Sequence, residues 1–177
     1  NTNIVFHAGK LLALEEGHLP FEMQPRTLES KGPVEQYRGR VTAHPKIDPK
    51  TGELVWFGYG IGPMPFGTGI SYGVTDATGK VVRRDDFEAP YSSMIHDFLV
   101  TDNYVLFPVL PLTGSLQRAM SGLPAFAWEP DKGSHVAVMR RDADVSTIRW
   151  FNAPPSYVFH PMNAWEQDGK IIADVFR

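Results

Sequence analysis

The chain has 177 residues, 42% hydrophobic and 21% charged, a composition typical of a globular domain large enough to bury a core. Its net charge of −3, with no run of Lys or Arg, argues against a nucleic-acid or anionic-membrane partner. The absence of cysteine excludes disulfides, thiolate metal sites and cysteine nucleophiles, and it leads us to expect a reducing, cytoplasmic location.

Short segments of β type, separated by glycine and proline, follow one another along the chain. The 15 prolines and 16 glycines leave few windows for an amphipathic helix. Runs rich in β-branched and aromatic residues predict strands. In chain order these runs are Leu54–Tyr59, Gly69–Val74, Lys80–Arg84, Tyr104–Val109, His135–Arg140, Ser146–Phe151 and Lys170–Phe176. The predicted fold class is therefore all-β, and the one helix or irregular insert that we expect is Leu112–Leu123.

Several of the predicted strands are joined by segments with the composition of tight turns. Asp favours turns because its side chain can accept hydrogen bonds from the backbone, and Gly because it can adopt a positive φ. Four segments have this character: Asp48–Gly52, Asp76–Gly79, Asp131–Gly133 and Gln167–Gly169. Strands joined by such turns are expected to form hairpins.

Three histidines recur in the same setting along the chain. His44, His96 and His160 are each followed by a short polar turn and, eight to ten residues later, by an apolar strand. They recur after 52 and then 64 residues, spacings that suit a β-propeller blade of four strands with a long connection. Equivalent positions of successive blades face a common axis, so the three imidazoles are predicted to converge on one metal ion.

A second interpretation of these histidines stays open from the pattern alone. A histidine at the end of a strand is usually solvated, or it makes a structural hydrogen bond. The remaining histidines lack the shared spacing, and we interpret His7, His18 and His135 as surface or structural residues.

Three motifs around the candidate ligands resemble a known family. Residues 42–48 (Thr-Ala-His-Pro-Lys-Ile-Asp), 95–104 (Ile-His-Asp-Phe, then Thr-Asp-Asn-Tyr) and 159–166 (Phe-His-Pro-Met-Asn-Ala-Trp-Glu) resemble, in order and spacing, successive motifs of the carotenoid cleavage oxygenases. The resemblance extends over the whole chain. It implies a seven-bladed β-propeller with Fe(II) on its axis, bound by four histidines, and O₂ as co-substrate. Three of the four would be His44, His96 and His160.

The resemblance also implies that residues 1–177 form part of a larger catalytic domain. They would make about three blades, and no candidate for the fourth histidine follows His160. The chain lacks an initiator methionine and stops directly after a strand-like run, so we expect a middle fragment that is inactive by itself. No apolar run approaches the roughly 20 residues of a membrane-spanning helix, and we expect no transmembrane segment.

Two further site residues follow from the resemblance. Glu16 aligns with a carboxylate that accepts a hydrogen bond from a ligand histidine and so fixes its tautomer, and the partner that we expect is His96. The alternative for Glu16 is an exposed loop carboxylate. Lys10 resembles the lysine that contacts the substrate 4-hydroxyl in the lignostilbene-cleaving branch. An ammonium there favours the phenolate, whose electron release activates the alkene toward O₂. The alternative for Lys10 is a solvated lysine at a strand end.

The function expected from the resemblance is oxidative cleavage of the C=C bond of a small apolar phenolic substrate, such as a stilbene, into two aldehydes. Within the family, a carotenoid or apocarotenoid oxygenase is the alternative. A β-propeller that only binds other molecules, with structural histidines, is the alternative from another class. A serine hydrolase is less favoured, because the sequence has no Gly-x-Ser-x-Gly motif.

Overall fold

The computed structural model describes residues 2–176, so the first and last residues of the predicted domain 1–177 lie outside the described part. Within that part the chain forms three four-stranded sheets, two two-stranded sheets and one helix of five residues. The prediction of an all-β fold is confirmed. None of the described helices is both long and apolar enough to cross a membrane.

The first sheet has four strands that pair in chain order: β1 (Asn3–His7), β2 (Lys10–Leu14), β3 (Phe21–Met23) and β4 (Ser30–Pro33). A short 3₁₀ turn, Glu35–Tyr37, follows it. The second sheet also pairs in chain order, from β5 (Lys46–Ile47) through β6 (Leu54–Ile61) and β7 (Gly69–Thr75) to β8 (Val81–Glu88). In both sheets the short-loop connections place sequential strands side by side, as in a meander.

The third sheet contains β9 (Leu99–Val100), β10 (Tyr104–Val109), β13 (Ser134–Arg140) and β14 (Arg149–Ala153), paired in the order β14-β13-β10-β9. An insert between β10 and β13 carries β11 (Leu112–Gly114), α1 (Leu116–Met120) and β12 (Phe126–Trp128), with β11 and β12 paired. The hairpin of β15 (Pro161–Gln167) and β16 (Lys170–Val175) ends the described chain.

Two compact units can be distinguished. One comprises the chain up to Tyr59 together with Ile70–Asp86, and its core contains an apolar cluster of Leu12, Leu14, Val34, Tyr37, Val41, Ala43 and Trp56. The other comprises Gly60–Gly69 and the chain from Phe87 onward. In its core the rings of Phe98 and Phe107 are stacked, with centroids 6.0 Å apart. Each unit buries its own apolar side chains, which is the main stabilising contribution to folding.

Three of the four predicted turns connect paired strands, whereas Asp131–Gly133 leads from β12 to β13, which do not pair with each other. The Asp48 carboxylate accepts hydrogen bonds from the backbone N–H groups of Lys50 (2.8 Å) and Thr51 (3.2 Å). Gly52 follows with φ of 73°, in the left-handed region that favours glycine. Gly79 and Gly169 occupy the same region, with φ of 87° and 72°. These residues therefore set the hairpin connections, in agreement with the sequence pattern.

One predicted strand was wrong in part, and the predicted helix or irregular insert at Leu112–Leu123 is an insert. Within it Leu112–Gly114 pairs with Phe126–Trp128, and only Leu116–Met120 is helical. The Ser115 hydroxyl caps that helix by accepting from the Arg118 N–H. Ser146–Phe151 does not begin as a strand: Val145–Thr147 is a 3₁₀ turn capped by the Asp144 side chain, and the strand starts at Arg149.

Candidate metal centre

The three predicted ligands occupy equivalent places in the fold. His44 lies two residues before β5, His96 three residues before β9 and His160 directly before β15. Each of these strands is the first of its sheet or hairpin in chain order. The sequence pattern detected the strand after the turn in each case but missed the strand between histidine and turn, which has two residues in β5 and β9 and seven in β15.

One ring nitrogen from each of these histidines contributes to a compact group. The ligand atoms of His44, His96 and His160 all lie within 4.8 Å of one another. His44 and His96 are partly buried and His160 is exposed. Neutral imidazole binds Fe(II) and other divalent first-row metals well, and three such donors leave coordination positions open for small ligands. The donor set therefore fits the iron site that the family implies.

The backbone around His44 is held by two local hydrogen bonds. The His44 N–H donates to the hydroxyl of the buried Thr42 (3.0 Å), and the Asn3 side-chain amide donates to the carbonyl of Ala43 (2.8 Å). The Thr42 N–H in turn donates to the carbonyl of Phe57 on β6 (2.6 Å). The loop that carries His44 is thus tied to strands on both sides, which limits its freedom at the site.

His96 and His160 are in direct contact. Their ring centroids lie 4.7 Å apart at an interplanar angle of 77°. The carboxylate of the buried Asp97 places Oδ2 3.7 Å from Nδ1 of His160. Phe159 packs edge-on against His96, with centroids 5.6 Å apart. A carboxylate beside one ring nitrogen favours the tautomer in which that nitrogen carries the proton, which leaves the other nitrogen free to bind a metal.

Glu16 follows β2 and is partly buried. Its Oε2 accepts a hydrogen bond from the hydroxyl of Tyr59 (2.6 Å), a residue near the end of β6. This bond immobilises the carboxylate. Its predicted role as the partner of a ligand histidine stays a prediction.

The structure does not bring Lys10 together with Glu16. Lys10 is the first residue of β2 and Leu14 the last, so the Cα atoms of these two residues lie about 13 Å apart at roughly 3.3 Å per residue. Glu16 follows two residues after the end of this strand. The Lys10 ammonium lies 3.1 Å from Glu22, whose other oxygen accepts from Lys31 at 2.9 Å. The hydrogen bond from Lys31, assisted by Lys10, holds the pKa of Glu22 below its usual value. The phenol contact predicted for Lys10 stays a prediction.

The remaining histidines have the structural or surface roles predicted for them. His7 is buried, and its Nε2 lies 2.8 Å from the carbonyl oxygen of Gly52. His18 is exposed and forms a hydrogen bond with Glu15. His135 lies within hydrogen-bonding distance of Asn152 (2.9 Å) and of the Lys132 carbonyl (3.1 Å).

A groove of about 980 Å³ lies between the third sheet and the last hairpin. Leu106 and Val138 line one side, and Ile171 and Ala173 the other. None of its lining residues is a histidine. We therefore do not assign this groove to the reaction.

Comparison with known proteins identifies the class. The chain matches, over residues 1–177, the family described as RPE65, retinal pigment epithelial membrane protein. This match covers the full sequence, so the chain belongs to this family, that of the carotenoid cleavage oxygenases.

Three relatives show how similar the chain is to known members of this family. The isoeugenol monooxygenase of Pseudomonas putida is 42% identical over 99% of this chain and 37% of its own length. The crystal structure of lignostilbene dioxygenase from Pseudomonas brassicacearum matches with a TM-score of 0.90 and 39% identity, over 99% of this chain and 37% of that one. A cobalt-substituted apocarotenoid oxygenase of Synechocystis matches with a TM-score of 0.86 and 29% identity, over 99% and 39%. The chain thus spans little more than a third of the length of these relatives.

Sequence reasoning missed three residues around the histidines. Asp97 and Glu166 stand inside the motifs that carried the resemblance, but the motifs gave them no role. Tyr157 lies three residues before His160 and donates a hydrogen bond to the Met94 carbonyl (3.1 Å). An acidic residue directly after a candidate ligand, as in His96-Asp97, was the one available signal.

Proposed function

We propose that this chain is part of a non-haem iron(II) oxygenase that cleaves the C=C bond of a phenolic alkene with O₂. The observation that carries the proposal is the convergence of three histidine nitrogens within 4.8 Å. Membership of the family supports the reaction class. The balanced reaction breaks the C=C bond and places one oxygen atom of O₂ on each carbon, so two carbonyl products form and no external reductant is consumed.

His44, His96 and His160 would hold the metal through neutral imidazole nitrogens. Histidine ligands alone keep the dipositive charge of the centre, unlike sites that include a carboxylate ligand. Iron(II), when bound, supplies the position at which O₂ is activated. Asp97 favours one tautomer of His160 through the approach of its carboxylate to Nδ1. Glu16, held by Tyr59, is the proposed acceptor for a further ligand ring.

An aromatic wall next to the histidines supports an aryl substrate. Phe159 is 52% exposed although its edge packs against His96. Tyr157 packs edge-on against Phe159, with centroids 4.7 Å apart, and so supports the exposed ring. Rings in such positions pair favourably with another aromatic ring at centroid distances of about 4.5–7 Å. Phe159 is therefore suited to contact an aryl group of the substrate.

Sequence identity alone does not separate a phenolic substrate from a polyene. The chain is 42% identical to the isoeugenol monooxygenase of Pseudomonas putida and 40% identical to a protein named carotenoid cleavage oxygenase 1 of Neurospora crassa. It is 35% identical both to a lignostilbene dioxygenase of Sphingomonas paucimobilis and to a carotenoid cleavage dioxygenase of Crocus sativus. We propose a 4-hydroxystilbene as substrate, on the resemblance of Lys10 to the lysine of the lignostilbene-cleaving branch and on the exposed ring of Phe159 beside His96. An isoeugenol-type alkene is the second candidate, favoured by the 42% identity. The cytoplasmic location expected from the absence of cysteine is proposed with it.

The test supplies the complete natural protein with Fe(II), O₂ and one of four substrates. These are a 4-hydroxystilbene, its 4-methoxy analogue, isoeugenol and an apocarotenoid. We expect two aldehydes from each cleaved 4-hydroxystilbene, one O₂ consumed per alkene, and little turnover of the methoxy analogue, which cannot form a phenolate. Cleavage of the apocarotenoid alone would overturn the substrate proposal, and absence of carbonyl products from all four would overturn the oxygenase proposal.

A further inference from the structure

Two chain segments that carry metal-ligand candidates are tied together by polar contacts. We define the His96 segment as residues 94–104, which include β9, and the His160 segment as residues 157–167, which include β15. Before the histidines, the Tyr157 hydroxyl donates to the Met94 carbonyl (3.1 Å). At the histidines, the Asp97 carboxylate approaches Nδ1 of His160 (3.7 Å).

After the histidines, the carboxylate of Glu166 makes three hydrogen bonds to the His96 segment. Oε1 of Glu166 accepts from the Thr101 hydroxyl (2.7 Å) and from the Asn103 N–H (2.8 Å). Oε2 accepts from the Asn103 side-chain amide (3.0 Å). The Thr101 hydroxyl oxygen also accepts from the Tyr104 N–H (2.9 Å). Glu166 therefore bonds to both ends of the turn between β9 and β10.

Glutamate is well matched to this turn. An ionised carboxylate accepts at two oxygens and donates nothing, so it can satisfy three donors together. The hydrogen bond from Thr101, followed by that from the Asn103 side chain, lowers the pKa of Glu166, so the group is ionised at neutral pH. Hydrogen bonds to an ionised acceptor are about twice as strong as those between neutral groups.

The spacing along the two segments gives these bonds a consequence for the site. His96 precedes Thr101 by five residues, and His160 precedes Glu166 by six. A displacement by one residue length between the two segments would move one histidine by about 3.3 Å relative to the other. Ligand distances in a metal site are held to about 0.2 Å. A contact that prevents such a displacement at the far ends of the two segments would therefore help both rings to bind one ion.

We propose that Glu166 is a positioning residue for the metal centre: it locks the His160 segment to the His96 segment, so that the two rings keep the 4.7 Å separation at which they share one metal ion. This inference rests on the metal-binding part of the proposed function. Glu166 acts through the two strands and does not touch metal or substrate.

The test compares variants of the complete natural protein by their affinity for Co(II), measured by competition with a chelator. Glu166→Ala removes all three bonds, and we expect about 10-fold weaker Co(II) binding, at the low end of the loss typical when support of a metal ligand is removed. Glu166→Gln retains an oxygen acceptor for Thr101 and Asn103, and it should bind within about threefold of wild type. Asn103→Ala removes one donor at an exposed turn, and it should bind Co(II) with an affinity between those of wild type and Glu166→Ala.

A matched control separates positioning from general stability. Glu129 lies in the insert between β10 and β13. Like Glu166, it is a carboxylate that accepts hydrogen bonds from neighbouring side chains, in its case those of Thr113 and Arg118. Glu129→Ala should leave Co(II) affinity within about twofold of wild type. Hydrogen exchange of the Asn103 amide in metal-free protein gives a second readout: its protection should fall in Glu166→Ala and persist in Glu129→Ala.

The outcomes are distinguishable. Unchanged Co(II) affinity in Glu166→Ala, or in Asn103→Ala should the first variant not fold, would overturn the inference. An equal loss in Glu129→Ala would overturn it as well, because the effect would then be general destabilisation. If the wild-type protein itself bound no Co(II), the proposed metal site would be contradicted, and with it this inference.

Discussion

The second sheet and the last hairpin obtain their structure in different ways. In the second sheet, Trp56, Phe57 and Tyr72 have no exposed surface, and every residue of β7 is buried. Within the described residues, which span little more than a third of the length of the relatives, no residue of the hairpin is fully buried, and Glu166 of β15 bonds to the turn that follows β9. Burial of apolar area supplies stability, whereas directional hydrogen bonds supply position. The comparison teaches that stability and site geometry are separate properties in this chain.

The largest expected effect is a loss of metal affinity that leaves the fold unchanged. Changing His96 to Ala removes one of three imidazole donors, so we expect Co(II) or Fe(II) affinity to fall by more than about 100-fold, beyond the range for residues that only support a ligand. Aldehyde formation should vanish with the metal. His135→Ala is the control, because His135 lies outside the cluster of three histidines and is within hydrogen-bonding distance of Asn152 and the Lys132 carbonyl. Metal analysis and urea denaturation of both variants test this. An iron content near one per chain in His96→Ala would refute the prediction.

The next largest effect is a loss of stability when the apolar core around Trp56 is truncated. Trp56 is fully buried, its indole N–H donates to Thr75 (3.1 Å), and its ring fills the space that a Cβ on Gly73 would need. Trp56→Ala should lower the free energy of unfolding by about 3–5 kcal/mol, as is usual when a large core aromatic is truncated. Urea denaturation measures this, with Trp150→Ala, at a residue 38% exposed, as the milder control. Equal losses in the two variants would contradict the burial argument.

A pH dependence sharpens the role of Glu166. The hydrogen bond from Thr101 lowers the pKa of Glu166 below the ordinary value of 4.5. A group with a lowered pKa stabilises the folded state above its unfolded pKa, and this contribution is lost as the pH falls through the folded pKa. The melting temperature of metal-free wild type should therefore exceed that of Glu166→Ala at pH 6–7. The difference should shrink below about pH 4.5, and a difference that is independent of pH would contradict the assignment.

The smallest expected effect on stability concerns Lys10. Glu22 pairs with both Lys10 and Lys31, so Lys10→Met leaves the carboxylate one partner, and exposed ion pairs contribute only about 0–1 kcal/mol. We therefore expect Lys10→Met to change the free energy of unfolding by less than about 1 kcal/mol, while the predicted phenol contact requires a clear loss of kcat/KM for a 4-hydroxystilbene. Urea denaturation and steady-state kinetics of the complete protein measure the two effects, with Lys31→Met as control. An unchanged kcat/KM in Lys10→Met would contradict the phenol contact predicted from the sequence.

The site was easier to predict from the sequence than several elements around it. His44, His96 and His160 were recognisable because each stands before a turn and an apolar strand, a local pattern that recurs. β5 and β9 have two residues each and were missed, because two residues are too short to show alternation. The strand Leu112–Gly114 was not predicted within the expected helix or irregular insert, because its partner, Phe126–Trp128, is remote in sequence.

Pairings between distant side chains were beyond prediction. The bonds of Glu166 to Thr101 and Asn103 cross more than 60 residues, and no local pattern reports them. Lys10 was singled out by its resemblance to a lysine of the lignostilbene-cleaving branch, and that resemblance did not reveal its ion pair with Glu22, which depends on the register of β2 and β3. The predictions that no nucleic acid binds and that the protein is cytoplasmic rest on composition alone and stay predictions.

The account depends most on three imidazoles that bind one iron. The direct test is a crystal structure of the iron-loaded complete protein, with anomalous diffraction recorded at the iron edge. We expect one iron per chain, bonded to ring nitrogens of His44, His96 and His160 at about 2.1 Å, close to the 2.0–2.1 Å found for zinc–imidazole bonds. Iron bound elsewhere, or an iron-free protein in which these rings bond only to protein groups, would contradict the central claim.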